Sequence, residues 1–237
     1  SSPASNLQLN IRWKLQQLFK YLYSEEPEDF NELQTLVGYE FAFVSIFGDD
    51  SGECLQPLGF VRLCATHPNV FIETIAAFSR NDADVYMFDP TTDGNLVRAR
   101  QCRELMGSMV AFPGYGAAEV LGCVKYDAAT WVAAVLEHAT AEKYRGAITD
   151  QLAEIFTRGA VAEIEDWPNK SLAAAINLIT SKAGRSHLIR SLQNDRGFHW
   201  VDCSGKENRE IAVKFRRRAT KVDAYCPAAA EALCAYA

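Results

Sequence analysis

Apolar positions recur at helical spacing almost from the start of the chain. In NLQLNIRWKLQQLFKYLY (6–23), residues Ile11, Leu15, Leu18, Phe19 and Leu22 form one stripe at about 100° per residue. Ser24 precedes EEPEDFNEL as an expected N-cap, with acidic residues in the first turn where the helix dipole favours them. The stretch YEFAFVSIFG (39–48) is apolar on both faces and fits a buried helix or a strand equally. After the turn signal GDDSGE (48–53), LGFVRLCA and NVFIETIAAFSR predict two short helices parted by His67 and Pro68. NLVRARQCRELMGSM predicts a further helix, ended by Pro113 and Gly114.

The second half carries clearer helix signals. DAATWVAAVLEHATAEKYRGAITDQLAEIFTRG (127–159) has an aspartate at the expected cap, alanine-rich helix formers and a glycine at the stop, and predicts one long helix. WPNKSLAAAINLITSKAG (167–184) predicts a helix that starts near Pro168 and ends at Gly184. SHLIRSLQNDRG predicts a shorter one ending at Gly197, and FHWVD (198–202) alone suits an extended conformation. The fold class is therefore mainly α. A single helical core is expected over 25–225, divided into two lobes, if it divides, near 113–116. An amphipathic arm precedes it at 1–24 and a nearly uncharged apolar tail, CPAAAEALCAYA, closes it over 226–237. Such ends either fold back on their own core or dock on a neighbouring copy.

Composition narrows the class without naming a function. At 237 residues with 49% hydrophobic and 23% charged residues, the chain can bury a sizeable core and is not expected to be disordered. No apolar run reaches the roughly 18 residues of a membrane span, the longest candidate (33–47) being broken by Gln34, Gly38 and Glu40. No membrane partner is expected. The first ten residues lack the basic and apolar regions of a secretory signal. Seven cysteines include no C-x-x-C pair. His199 and Cys203, with Cys226 and Cys234 downstream, are the closest approach to a metal set, and their spacing fits ordinary reduced cysteines better than zinc. A reducing intracellular compartment or a virion is the expected location, with no metal and no cofactor.

Three motifs invite an enzymatic or DNA-reading interpretation. GDDSGE approximates the glycine-flanked serine of serine proteases, but it inserts an aspartate and lacks the second glycine, so Ser51 reads as a turn residue. FPGYGAAEVLG has Gly114 and Gly116 but places Glu119 where a dinucleotide site needs its third glycine, and a carboxylate there would repel pyrophosphate. LAAAINLITSKAGRSHLIRSLQND has the outline of a helix-turn-helix, yet Thr180 and Arg190 occupy the positions that want a small and an apolar residue, which favours a plain helical hairpin. His67, His138 and His187 have no partner suggested by spacing.

Charge distribution is the strongest functional signal. Fourteen acidic residues and only Arg62 and Arg80 occupy positions 21–93, whereas positions 182–221 hold eleven basic residues against four acidic ones. The overall −6 therefore conceals a basic segment able to hold a polyanion or an acidic protein. Within it, Ser204 and Glu207 form an S-x-x-E capping box, predicting a helix from about Gly205. Helical projection puts Ile211, Ala212, Phe215, Ala219 and Val222 on one face. Lys206, Lys214, Arg217 and Lys221 fall on the opposite face, flanked by Arg209, Arg216 and Arg218. Arg185, Arg190 and Arg196 extend the same basic segment upstream. Arginine's planar donor fork suits phosphate. The expected function is a self-assembling helical protein that holds single-stranded nucleic acid, RNA in the first instance, along this ridge, as a nucleoprotein or filamentous coat protein would. The alternative is a helical adaptor or assembly subunit without nucleic acid, and the third reading is an enzyme with no recognisable motif.

Overall fold

Asp29 opens the second helix by accepting hydrogen bonds from the backbone N–H groups of Asn31 (2.8 Å) and Glu32 (2.9 Å). Ser24, the expected cap, lies instead at the end of the first helix, where its hydroxyl donates to the Tyr21 carbonyl. The computed structural model describes residues 3–24, 29–44, 55–79, 93–115, 127–139, 142–158, 160, 165–179, 181–195 and 206–237. These form eleven helices and no strand beyond one isolated bridge between Phe112 and Tyr115. The mainly α reading holds. None of these helices is long and apolar enough to cross a membrane.

Chain contacts divide the protein into two units, Ser1–Tyr126 and Asp127–Ala237. The first contains α1 (Pro3–Ser24), α2 (Phe30–Ala42), α3 (Leu58–Thr66), α4 (Pro68–Phe78) and α5 (Asp93–Ser108). The ambiguous stretch after Tyr39 continues α2 as helix to Ala42; positions 45–48 and the GDDSGE turn with Ser51 lie outside the described residues. α2, α3, α4 and α5 pack on one another around Phe60, Phe71, Ile75, Leu105 and Met106, all almost wholly buried. The Gln56 side chain ties the start of α3 to the segment after α5 by accepting from Val110 N–H at 2.8 Å.

A buried carboxyl group holds this unit together at depth. Glu40 on α2 is fully buried. Its Oε1 accepts from the Tyr23 hydroxyl of α1 (2.6 Å) and from Gly59 N–H (2.8 Å), and its Oε2 accepts from Phe60 N–H (2.7 Å). Pro57, at the cap position of α3, has no side-chain acceptor to offer, so Glu40 supplies the missing cap from another helix. Gly59 permits the approach: a Cβ there would stand 3.0 Å from Leu36 and 3.1 Å from Glu40 Oε1.

The second unit contains α6 (Ala128–His138), α7 (Glu142–Thr157), α8 (Lys170–Ile176), α9 (Lys182–Asp195), α10 (Lys206–Val222) and α11 (Pro227–Tyr236). Asp127 caps α6 by accepting from Thr130 N–H at 2.8 Å. The single long helix expected over 127–159 is in fact α6 and α7. Its apolar stripe changes phase: Trp131, Val132, Val135 and Ala139 bury one face, and the same phase carried forward meets Glu142 and Gly146. The buried positions Ile148, Leu152, Ile155 and Phe156 follow a different phase. The break lets α6 pack on α8 while α7 packs on α9.

α8 ends at Ile176, eight residues before the glycine expected to stop it, and Gly184 sits inside the first turn of α9. A Cβ on Gly184 would lie 2.6 Å from the Ile179 carbonyl, so this glycine serves close packing of the α9 start and is not the turn of a helix-turn-helix. The C-terminal segment 226–237 folds back: α11 packs on α9 and α10, burying Ala229, Ala232 and Leu233. Phe215 of α10 stacks on Tyr236 with ring centroids 4.1 Å apart.

Candidate nucleic-acid interface

The α10 pattern survives folding. Phe215, Ala219 and Val222 are buried and Ile211 and Ala212 half-buried, as projection of the sequence requires. Glu207 lies in the first turn and Lys221 in the last, each at the helix end whose dipole favours its charge. Ser204, the other half of the capping box, is outside the described residues.

The basic side chains around that helix fall into three groups. Arg209, Lys214 and Arg217 are exposed and make no ion pair with any described residue. Lys206, Lys221 and Arg216 are exposed but tethered: Lys206 lies 3.9 Å from Glu210, Lys221 lies 4.0 Å from Glu165, and Arg216 donates to the Ala237 carbonyl at 3.2 Å. At 3.9 and 4.0 Å between exposed groups, the two lysine contacts are weak ion pairs.

Arg218 forms the third group by itself. Its half-buried guanidinium donates from Nε to the Trp167 carbonyl (2.6 Å) and from Nη2 to the carbonyls of Asp166 (2.8 Å) and Pro168 (3.0 Å). The Tyr225 hydroxyl also donates to the Pro168 carbonyl (3.2 Å), Asn177 Nδ2 donates to the Tyr225 carbonyl (2.8 Å), and Trp167 Nε1 donates to the Phe156 carbonyl (2.7 Å). Arg218 thus clamps the chain before α8 to α10, and its donors point at backbone carbonyls.

Upstream, Arg185 of α9 lies 3.4 Å from Glu231 of α11 and Arg190 is exposed on the same helix; Arg196 is outside the described residues. α11 links the two basic helices, since Glu231 meets Arg185 and the Ala237 carbonyl meets Arg216.

Other chemistry is sparse among the described residues. His187 of α9 meets Asp150 of α7 at 2.7 Å, a pair the sequence spacing did not reveal. Burial pushes the Asp150 carboxyl up, and the charges of His187 and Arg190 pull it back. A polar groove of about 340 Å³ between α7 and α9 is lined by Glu154, Thr157, Arg158, Ser191 and Asn194, and its Arg158 is paired to Glu154 at 2.7 Å. Among the described residues that lining offers neither histidine nor cysteine for nucleophilic chemistry. His67 and His138 bond locally, to Thr66 Oγ1 and the Ala134 carbonyl. Burial raises the thiols of Cys102 and Cys226, which keeps them protonated and inert. No group of three or more His, Cys, Asp or Glu able to hold a metal occurs among the described residues, to which His199 and Cys203 do not belong. Of the dinucleotide-like stretch only residues up to Tyr115 are described.

No protein-family model matches the chain, and neither a curated protein nor a solved structure matches it.

Proposed function

We propose that the protein binds single-stranded nucleic acid, RNA in the first instance, along the exposed face of α10, and that copies associate along the strand in the manner of a nucleoprotein or coat subunit. The observation that carries this reading is the exposed pair Lys214 and Arg217, flanked by exposed Arg209, on a helix anchored by buried Phe215, Ala219 and Val222. A rigid helix holding exposed cations away from its buried face suits a phosphate backbone, whose contacts position a protein without reading bases.

A protein-only adaptor is the second reading. The tethers of Lys206, Lys221 and Arg216 favour it, because they show that this surface already accepts carboxylates and carbonyls. Protein purified without nuclease separates the two. The nucleic-acid reading expects an absorbance ratio at 260 and 280 nm well above that of protein, with the excess removed by ribonuclease and high salt. A ratio typical of protein alone, with no binding to added single strands at low salt, contradicts it.

A further inference from the structure

We infer that Val213 of α10 is the apolar contact that seats a base or ribose face of single-stranded RNA between the phosphate contacts of the ridge, an inference that rests on the reading above and gives it a preference for single strands. Val213 is 63% exposed, more than any other large apolar side chain among the described residues. At about 100° per residue it stands about 150° around the helix from the line of buried Phe215, Ala219 and Val222, on the outermost side of α10.

Helix stability does not account for a valine there. A β-branched side chain loses rotamer freedom in a helix, and on an exposed face no burial offsets that loss. The positions around it carry charge. Arg209 stands one turn before it and Arg217 one turn after, each about 40° from it around the helix, and Lys214 follows it in the chain. All three are exposed and make no ion pair with any described residue. Glu210, the acidic neighbour on this side, lies 3.9 Å from Lys206. One outward apolar side chain, unused by the fold, thus sits among exposed cations.

That combination selects the occupant. Cations on either side of Val213 suit a polyanion, and the apolar centre suits one that presents apolar surface beside its charges. An RNA duplex does not, because its bases are stacked and paired, its major groove is too deep and narrow for side chains to read, and phosphates and sugar hydroxyls form its rim. A single strand does, because its unstacked bases and riboses lie open between successive phosphates. With Arg209 and Arg217 on phosphates, Val213 lies against the base or ribose between them and excludes water there.

Binding of a single-stranded RNA, and of the same sequence annealed as a duplex, to the intact chain over a range of salt concentrations tests this. Val213→Ser should weaken single-strand binding roughly fivefold at every salt concentration and leave the log–log slope unchanged, since it removes an apolar contact and no phosphate contact. Duplex affinity should not change, and Val213→Leu should keep the wild-type affinity for single strands. Serine and valine have similar helix propensity and the position is exposed, so circular dichroism should be the same for all three proteins. Single-strand affinity that Val213→Ser leaves unchanged, or an equal loss on single strand and duplex, overturns this contact while the salt slope of the ridge stands. A wild type that binds no RNA at low salt overturns the ridge and the contact together.

Discussion

Replacing Glu40 with leucine is expected to destabilise the first unit by about 4 kcal/mol at pH 5, since it strands two buried N–H groups and the Tyr23 hydroxyl at once. The effect should depend on pH with a definite sign. Burial pushes the Glu40 carboxyl from the ordinary 4.5 up to about 7, although the three donors around it favour the charged form. A carboxyl raised in the folded state contributes stability that is fully present below its unfolded value of 4.5 and is lost as pH rises through about 7. The Glu40 contribution should therefore shrink by about 3 kcal/mol between pH 5 and pH 8, narrowing the gap between wild type and Glu40→Leu to about 1 kcal/mol. Burial, with the Glu40 charge beside it, pushes the Tyr23 hydroxyl well above the usual tyrosine range, so it stays a donor throughout. Urea unfolding at the two pH values, followed by pulse hydrogen exchange in peptides covering 58–66, measures the gap. A gap that stays constant or widens toward pH 8 would show that the three donors outweigh burial and keep Glu40 ionised.

Arg218→Ala is expected to cost the second unit about 3 kcal/mol, against about 0.5 kcal/mol or less for Arg217→Ala one residue away. The first removes three charge-assisted bonds to the carbonyls of Asp166, Trp167 and Pro168; the second removes an exposed cation. Arg218→Lys should recover little, because a lysine ammonium cannot match the planar fork that spans three carbonyls. The fluorescence of Trp131 and Trp167, both buried in this unit, reports its unfolding. Equal stability of the two alanine variants would mean that the clamp does not hold in solution. The pair also separates structure from binding: Arg217→Ala should weaken RNA binding in a protein of normal stability, and Arg218→Lys should weaken stability in a protein of unchanged charge.

What could be read from the chain depended on how local its cause was. The faces of α10 were legible because one stripe of Phe215, Ala219 and Val222 repeats at helical spacing with nothing to compete, and burial follows it. The division between α6 and α7 was not, because alanine-rich sequence has high helix propensity on every side and only the partners α8 and α9 reveal the change of phase. Glu40 looked like an interruption in an apolar run. Its meaning lies in Tyr23, Gly59 and Phe60, which arrive from other helices 17 to 20 positions away. Arg218 was indistinguishable from Arg216 and Arg217 for a similar reason: its partners are backbone carbonyls about fifty positions earlier, and a carbonyl leaves no mark in sequence. The basic segment as a whole was legible, and the tertiary structure sorted it into exposed, tethered and clamped members.

The α10 ridge is tested most directly by the salt dependence of binding to unrelated single-stranded RNA sequences, for the wild type and for a variant with Arg209, Lys214 and Arg217 all changed to glutamine. On the proposed reading Lys206, Arg209, Lys214, Arg217 and Lys221 would supply about five phosphate contacts, so the log–log slope should be on the order of −3.5 in the wild type and roughly −1.4 in the variant. Affinity should fall about equally for every sequence, and helix content should be preserved because Phe215, Ala219 and Val222 are untouched. A folded variant with wild-type affinity and slope would contradict the account and assign the ridge to an acidic protein surface instead.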